Sequence, residues 1–497
     1  MIPLETGLND ISGDAPFVRA SPDFFICLPN IITDGGMPFE KNVYLCCIKF
    51  KMRMKNRFIS LTFFLLLCLV SSAQNRLSAD AYFASVLKGV EQAQIPSGRF
   101  GLAELEQHKK AVWQSWCRAN QTFAEDKLPA FRPLTNTDTL RWHLPPVLEA
   151  DSVMPFYFGT KGVRPADGWP LMLYLHGSGP KEHEFATGYI LCQRFDDAPS
   201  LYFIPQIPSE KHYRWYLKGK QQIWEQLLRQ SLAGGQVNAN RIYIFGISEG
   251  GYGSQRLASF YADYLAAAGP MAGGEVSENA PAENLGHVGF SFLTGADDLM
   301  FGRNRLTRRA AELLDSLQER YPGEYCHNIQ LIPGRGHHID YNPTTPWLKS
   351  FVRTPRPLHF VWEDFPMDGR YRNGFYNIQV HERDTTGGNE RTRYEMDIKD
   401  NVVSLSLERV KYMTVEREPK WGIPMVQHTS CERATKGRFT LYLSPDMVDF
   451  DCKVSVIVNG RRVFNGYLKP DVRHLATSCA CFFDPERLFP AAVEVVL

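Results

Sequence analysis

The sequence predicts an α/β protein with a doubly wound, mostly parallel sheet, preceded by a helical segment and followed by a β-sandwich-like domain. Two observations support this fold class. Between residues 140 and 354, short apolar runs alternate with longer stretches of helical periodicity, which is typical of βαβ units and a parallel sheet. After Pro355 the helical periodicity almost vanishes and short alternating runs take over, which favours a separate β-rich domain.

The composition and charge indicate a large globular protein without a charged surface field. The chain has 497 residues, of which 44% are hydrophobic and 22% are charged. That length predicts roughly two or three domains. The formal net charge is +1, so no basic field is available to attract nucleic acid or an anionic membrane surface. We therefore expect no nucleic-acid partner.

Residues 1–73 are predicted to be a leader rather than part of the fold. Met54-Lys-Asn-Arg57 is a basic start, Phe58–Val70 is a nearly unbroken apolar run, and Ser71-Ser-Ala73 supplies small residues, in the order of a signal peptide. The run is too short for a spanning helix, which needs about 20 apolar residues. We expect residues 54–73 to direct secretion or periplasmic export and residues 1–53 to be an annotation artefact. The alternative is a genuine extension.

The helical segment is predicted at residues 74–139 because Leu102, Leu105, Val112 and Trp116 recur among charged residues. The α/β domain, residues 140–354, has predicted helices at Gly219–Leu232, Gly253–Tyr264 and Arg303–Tyr321. Its predicted strands are Trp169–Leu175, Leu201–Ile207, Arg241–Phe245, Leu265–Gly269, Gly289–Leu293 and Ile329–Ile332. The β-rich domain, residues 355–497, has predicted strands at Phe360–Glu363, Phe375–His381, Thr392–Ile398, Val402–Leu407, Phe439–Leu443, Val454–Val458 and Val463–Leu468.

Cysteine usage gives no defined framework. Of the 11 cysteines, Cys431, Cys452, Cys479 and Cys481 fall in the β-rich domain, where export would permit disulfides of undetermined pairing. Cys479-Ala-Cys481 has no neighbouring His or Cys pair at zinc-site spacing. We interpret it as structural, and we expect no metal.

The strongest chemical signal is Gly246-Ile-Ser248-Glu-Gly250, which lies between a predicted strand and a predicted helix. A nucleophile elbow has this context, because its sharp turn needs small residues on both sides of the serine. The turn presents the Ser248 hydroxyl at the carboxyl end of the sheet, and the Glu249 backbone N–H faces a developing oxyanion. The alternative is a chance match in a chain with 38 glycines.

Three further motifs follow strand ends. His176-Gly177-Ser178 ends the first strong strand, where the amides of Gly177 and Ser178 are candidate oxyanion donors and His176 orients the loop.

A candidate acid and a candidate base come later in the chain. Gly295-Ala-Asp297-Asp298 ends a strand, and its Gly-x-x-Asp spacing favours Asp298 as the acid over Asp297; a helix N-cap is the alternative role. Gly336-His337-His338 favours His337 as the base, with His338 as the alternative. Chymotrypsin-like and subtilisin-like enzymes use other orders, whereas α/β-hydrolases run Ser, Asp, His.

In this order the motifs resemble secreted α/β-hydrolase esterases, such as feruloyl esterases and polyhydroxybutyrate depolymerases. The resemblance covers residues 140–352 and is closest at Asn238–Gly251 and Ala267–Gly274. The region is also similar to prolyl-oligopeptidase-type peptidases. The resemblance implies an acyl-enzyme mechanism without a cofactor. Glu249 departs from it, because these families often carry Met, Ala or Tyr there.

The expected function is cleavage of small or polysaccharide-linked carboxylic esters. A prolyl-oligopeptidase-type peptidase is the first alternative, although the segment before residue 140 is too short for the propeller of that family. A catalytically silent carbohydrate-binding protein is the second. We interpret Gly179–Arg194 as a surface loop rather than a lid, and Trp362 and Trp421 as core residues rather than a sugar platform. A dense aromatic group is assigned to packing or to the pocket rim: Tyr202, Phe203, Tyr213, Trp215, Tyr216 and Trp224.

Overall fold

The structure, a computed structural model, describes residues 78–90, 93–149, 152–385 and 390–497. The predicted leader, residues 1–73 with the signal sequence at 54–73, lies outside the described residues. The described residues belong to one compact unit. The domain boundaries placed at residues 140 and 355 stay predictions.

Two helices form the predicted helical segment. They are α1 (Ala79–Leu87), which Ser78 caps through its hydroxyl, and α2 (Leu105–Thr122). Phe83 of α1 meets Trp116 of α2 edge to face, with ring centroids 5.1 Å apart. The predicted apolar face of α2 is buried at Leu105, Val112 and Trp116, whereas Leu102 precedes the helix and is exposed.

Eight strands between residues 140 and 332 form one sheet, in the order β1-β2-β4-β3-β5-β6-β7-β8. Only β2 runs against the others. The six predicted strands of this region are present as β3 to β8, and the antiparallel pair β1 and β2 was not predicted. The bounds are β1 (Leu140–His143), β2 (Val153–Lys161), β3 (Trp169–Leu175), β4 (Ser200–Pro205), β5 (Val237–Ile247), β6 (Ala267–Met271), β7 (Gly289–Gly295) and β8 (His327–Ile332).

Helices cover both faces of this sheet, which makes it doubly wound. Leu171 and Leu173 of β3 pack in one apolar cluster with α4 (Lys218–Ala233) and α5 (Glu249–Phe260), whereas Met172 and Tyr174 face the cluster that contains residues of α3 (Lys181–Arg194) and α7 (Thr344–Leu348). The alternation follows from the two-residue period of a strand. With α6 (Arg303–Arg320), this arrangement is the α/β-hydrolase fold.

The prediction of a surface loop at Gly179–Arg194 is wrong, because Lys181–Arg194 forms α3. Phe185, Tyr189 and Cys192 of this helix are buried against the sheet. Gly188 allows the close approach, since a Cβ there would lie 2.6 Å from the ring of Tyr174. Tertiary packing thus outweighs the central glycine, which lowers intrinsic helix propensity.

The C-terminal region contains two further sheets. One has the order β10-β11-β15-β18, and the other has the order β17-β16-β13-β12-β9, with β14 paired to β13. Six predicted strands are present as β9, β12, β13, β15, β16 and β17, while β14 and β18 were not predicted. The prediction of one strand at Phe375–His381 is wrong, because the chain reverses at Tyr376, where φ is 47°, and forms the antiparallel pair β10 and β11. The bounds are β9 (His359–Asp364), β10 (Gly374–Phe375), β11 (Ile378–Glu382), β12 (Glu390–Lys399), β13 (Val402–Arg417), β14 (Pro424–Arg433), β15 (Arg438–Leu443), β16 (Val454–Val458), β17 (Arg461–Gly466) and β18 (Ala491–Val496).

Aromatic side chains join these two sheets. Trp362 of β9 stacks on Phe375 of β10 at 5.1 Å, and Tyr394 of β12 meets Phe439 of β15 edge to face at 5.9 Å. Trp362 is therefore a core residue, as the sequence favours. Helix α8 (Val472–Phe482), which was not predicted, packs near α2 through buried residues such as Leu475.

The described residues contain neither a disulfide nor a helix suited to crossing a bilayer. All seven cysteines in this part of the chain are free, including the four of the β-rich domain that the sequence left open to pairing. No described helix combines the length and apolarity that a membrane span requires. Nor do three or more described His, Cys, Asp or Glu side chains form a group that could hold a metal ion.

Candidate active site

Ser248 lies at a strained turn between β5 and α5. Its backbone has φ 56° and ψ −114°, a conformation that L residues rarely adopt. The flanking glycines are required because a Cβ at Gly246 would lie 2.4 Å from the Gly250 carbonyl oxygen, and a Cβ at Gly250 would lie 1.9 Å from the Leu175 carbonyl oxygen. The turn is anchored to the next strand, since the Ser248 N–H donates to the Met271 carbonyl at 2.9 Å.

His337 connects Ser248 to a buried carboxylate. Its Nε2 lies 3.0 Å from Ser248 Oγ, and its Nδ1 lies 2.7 Å from Asp298 Oδ2. A proton on Nδ1 that bonds to Asp298 leaves Nε2 free to accept the serine proton. The structure thus brings Ser248, His337 and Asp298 together in a continuous hydrogen-bonded chain.

Asp298 lies in a pocket that favours its ionised form. Its side chain is 3% exposed, and Arg303 Nη1 donates to Asp298 Oδ1 at 3.1 Å. Burial by itself raises the pKa of Asp298, but the His337 hydrogen bond and the Arg303 charge outweigh burial and hold the pKa below its usual range. A carboxylate that stays ionised can orient the imidazole and stabilise an imidazolium.

The loops that carry the acid and the base touch along their backbones. A Cβ at Gly295 would lie 2.0 Å from the Gly336 carbonyl oxygen, so only glycine permits this approach. The Asp297 N–H donates to the Arg335 carbonyl at 2.8 Å. The Asp297 side chain is exposed, and so is His338, whose ring centroid lies 6.0 Å from that of His337.

The loop after β3 lies directly against Ser248. A Cβ at Gly177 would lie 3.4 Å from Ser248 Cβ. The Gly177 carbonyl oxygen accepts hydrogen bonds from the Tyr213 hydroxyl and from His176 Nδ1, each at 2.8 Å. Because carbonyl and N–H point in opposite directions across a trans peptide, these bonds fix the direction of the Ser178 N–H.

His176 has a structural position within this loop. It is fully buried, and its Nε2 accepts a hydrogen bond from the Ile207 N–H at 3.1 Å, which places the proton on Nδ1. Burial lowers the pKa of His176 to about 4, so the ring stays neutral at ordinary pH. The Trp215 indole N–H donates to the His176 carbonyl at 3.1 Å. His176 therefore orients the loop, as its position after β3 predicts.

Glu249 follows Ser248 at the start of α5. Its side chain is 11% exposed, and its Oε2 accepts from Arg214 Nη1 at 2.9 Å. Burial raises the pKa of Glu249 to about 7, although Arg214 counteracts the increase. A carboxyl group beside the candidate nucleophile thus titrates near neutral pH.

A cavity of about 550 Å³ opens beside Ser248. The sequence did not predict that Trp421 forms part of its wall. Ser178, Glu249 and Tyr216 line the cavity, together with Trp421 from the β-rich region. Trp421 is 44% exposed, so the prediction that it is a core residue is wrong. A larger cavity of about 660 Å³, between α1, β11, β15 and α8, contains none of the candidate catalytic residues.

The dense aromatic segment divides between the core and the site. The Tyr213 hydroxyl donates a hydrogen bond to the Gly177 carbonyl, and Tyr216 lines the cavity beside Ser248. The other members are buried core residues: Tyr202, Phe203, Trp215 and Trp224.

Comparisons with known proteins give structural neighbours only. No protein-family profile matches the chain, and no curated protein matches it. Similar solved structures include a thermostable esterase (21% identity, 44% of this chain and 64% of that chain, TM-score 0.34). They also include a ferulic acid esterase from Anaeromyces mucronatus in complex with ferulic acid (14% identity, 44% and 89%, TM-score 0.30). A third is a poly(3-hydroxybutyrate) depolymerase from Bordetella parapertussis (16% identity, 41% and 86%, TM-score 0.32). The match covers less than two thirds of the thermostable esterase.

Proposed function

We propose that this protein is a serine hydrolase that cleaves carboxylic esters, with Ser248 as nucleophile, His337 as base and Asp298 as acid. One observation carries the proposal: His337 Nε2 lies 3.0 Å from Ser248 Oγ, while its Nδ1 lies 2.7 Å from Asp298 Oδ2. The first distance is within hydrogen-bond reach for proton transfer, and the second is that of a hydrogen bond which orients the ring. The strained turn at Ser248 supports the same proposal, because it exposes the hydroxyl at the end of the strand.

The proposed reaction has two halves. Ser248 Oγ attacks the ester carbonyl carbon while His337 Nε2 takes the hydroxyl proton, and Asp298 stabilises the imidazolium. As the tetrahedral intermediate collapses, the C–O bond to the alcohol breaks and His337 returns the proton to the leaving oxygen. Water then attacks the acyl-enzyme with His337 again acting as the base, which releases the acid and restores Ser248.

The proposed oxyanion hole consists of backbone N–H groups of Glu249 and of the Gly177–Ser178 loop. The bonds from Tyr213 and His176 to the Gly177 carbonyl support this assignment, because they orient the Ser178 N–H before substrate binds. Loss of one such donor typically costs about 2.7–4 kcal/mol of transition-state stabilisation.

The test is covalent labelling of Ser248 with a fluorophosphonate, followed by intact-mass analysis. We expect a single phosphonyl adduct, formed with loss of fluoride, on the wild-type chain and none on Ser248→Ala. No adduct on folded wild-type protein would contradict an active hydrolase and favour the carbohydrate-binding alternative.

Activity on matched aryl esters and prolyl amides then separates an esterase from a peptidase. We expect turnover of the esters. Faster cleavage of the prolyl amides would favour the peptidase.

We also propose export, on the basis of residues 54–73 alone. Mass spectrometry of the protein recovered from its native host should give an N-terminus near Gln74. A chain that retains residues 54–73 would contradict processing.

A further inference from the structure

The C-terminal region reaches the candidate active site through one long hairpin. Strands β13 and β14 pair as far as Arg417 and Pro424. Residues just before and at the start of β14, namely Trp421, Ile423 and Pro424, line the same cavity as Ser248. Two parts of the chain therefore line this cavity. The α/β part contributes Ser248, and the β-rich region contributes a wall that consists of Trp421, Ile423 and Pro424.

Several contacts hold this hairpin against the α/β part of the chain. Gln427 Nε2 donates to Glu278 Oε2 at 2.8 Å, and the Glu278 N–H donates to Gln427 Oε1 at 3.2 Å. Arg305 forms an ion pair with Glu416, and Met425 packs in an apolar cluster with Leu306. These contacts lie along the hairpin and fix the wall, whereas at its tip Lys420 Nζ lies 4.7 Å from the centroid of the Trp421 ring, which stays 44% exposed.

Trp421 and Phe301 form an aromatic pair at this wall. Their ring centroids are 4.7 Å apart at an interplanar angle of 55°. Phe301 adopts φ 59°, a left-handed backbone that is uncommon for an aromatic residue. Such strain clusters at ligand-binding sites, where the surrounding structure holds a side chain in a required position.

The cavity opens beside Ser248 on a side that His337 does not line. Among the described residues, its walls include Ser248, Ser178 and Glu249 but not His337. The leaving oxygen must lie within hydrogen-bond reach of His337 Nε2 in order to receive its proton. This position of the leaving oxygen favours the acyl group, which is the other substituent of the carbonyl carbon, as the part of the substrate that enters the cavity.

We propose that Trp421 and Phe301 form a subsite for a ring carried by the acyl group of the substrate. The proposal rests on the proposed ester hydrolysis at Ser248. A flat ring placed against Trp421 removes apolar surface of both from water, and aromatic pairs prefer such offset or edge contacts. Trp421 is thus a specificity-determining residue that the β-rich region contributes to the active site.

The test compares two esters with the same leaving group, 4-nitrophenyl acetate and 4-nitrophenyl 3-phenylpropanoate. We expect Trp421→Ala to lower the ratio of kcat/KM for the phenylpropanoate to that for the acetate by about tenfold, since one stacked ring is lost. Trp421→Phe should retain most of the ratio. Val415→Ala is the matched control, because Val415 is an exposed apolar residue of β13 outside the cavity, and it should leave the ratio unchanged.

The outcomes separate this proposal from the proposed function. A wild-type chain that hydrolyses neither ester contradicts the hydrolase itself. Hydrolysis of the acetate with an equal loss on both esters in Trp421→Ala contradicts the ring subsite alone, and so does a wild type that does not prefer the phenylpropanoate. If Trp421→Ala fails to fold, Phe301→Asn tests the same pair, because Asn tolerates the left-handed backbone.

Discussion

Among the described residues, one cluster of arginine–carboxylate pairs is sealed from solvent, whereas another, beside Ser248, is open to it. In the sealed cluster, Arg353 and Arg487 each donate to Asp484 at 2.7 Å, and Arg372 and Arg487 both pair with Asp263. No side chain in it is more than 8% exposed. In the open cluster beside Ser248, Glu249 pairs with Arg214, which is 52% exposed.

The two clusters differ in what they connect. The sealed cluster joins two parts of the chain, whereas the open cluster borders the candidate active site. The sealed cluster connects Asp263 and Arg353 of the α/β part to Arg372, Asp484 and Arg487 of the β-rich part, so each buried charge depends on a partner across the join. The open cluster retains a carboxyl with a pKa near neutral pH and an arginine in contact with water. We infer that the first serves stability and the second serves substrate binding, and four measurements test that division.

The largest expected effect is at the base. His337→Ala should lower kcat by about 10⁴-fold or more, because loss of the histidine disables the triad as a unit. Its free energy of unfolding should change by only about 1 kcal/mol, since His337 is partly exposed on a loop. His338→Ala is the matched control for an exposed neighbour and should change neither kcat nor stability.

A substitution within the sealed cluster should lower stability and leave activity unchanged. Asp263→Asn removes one carboxylate from between Arg372 and Arg487 and leaves buried charge uncompensated. The free energy of unfolding in urea should fall by about 3–5 kcal/mol. The folded fraction should keep its kcat. A variant of wild-type stability would show that the cluster does not join the two parts.

A smaller, pH-dependent effect is expected at His359, another contact across the same join. Burial alone lowers the pKa of His359, but hydrogen bonds to Glu324 and Glu395 raise it to about 9. Because the folded pKa exceeds the ordinary value near 6.5, its contribution is complete below pH 6.5 and is lost as pH rises through 9. Between pH 6 and pH 10, wild-type stability should fall by about 2 kcal/mol more than that of His359→Gln.

The direct readout for His359 is urea unfolding of both proteins at each pH. Parallel pH profiles for wild type and His359→Gln would show that the imidazolium contributes nothing to the join.

The smallest expected effect is at Glu249. Above its pKa of about 7 this carboxyl is ionised beside Ser248, so it should disfavour an ester with an anionic acyl group, such as 4-nitrophenyl succinate. At pH 8, Glu249→Gln should raise kcat/KM for the succinate relative to the acetate by about fivefold, a partly screened charge effect near 1 kcal/mol. At pH 6 the gain should shrink, because wild-type Glu249 is then protonated. An equal gain at both pH values would contradict a titrating Glu249.

The parts of the site that the sequence predicts are those set by local chain geometry. Gly246 and Gly250 indicate a turn that only glycine permits. Asp298 and His337 follow strands whose carboxyl ends must meet at one edge of a parallel sheet. The choice of Asp298 over Asp297 followed from motif spacing, and it is Asp298 Oδ2 that lies 2.7 Å from His337 Nδ1.

The parts that the sequence does not predict depend on distant packing. Helix α3 forms because Phe185 and Tyr189 bury against the sheet, which its weak local pattern does not reveal. Helix α8 carries Thr, Ser and Cys, which have modest helix propensity, and its burial against α2 supplies the stability. The position of Trp421 beside Ser248 depends on how the long β13–β14 hairpin docks, and no local signal encodes that placement.

The most direct test of the account is a crystal structure of the fluorophosphonate-treated protein. We expect phosphorus bonded to Ser248 Oγ, with His337 Nε2 beside it. One phosphonyl oxygen should lie about 2.7–3.1 Å from the backbone N–H groups of Ser178 and Glu249. Phosphorus on another residue, or a phosphonyl oxygen directed away from both amides, would contradict the proposed catalytic site.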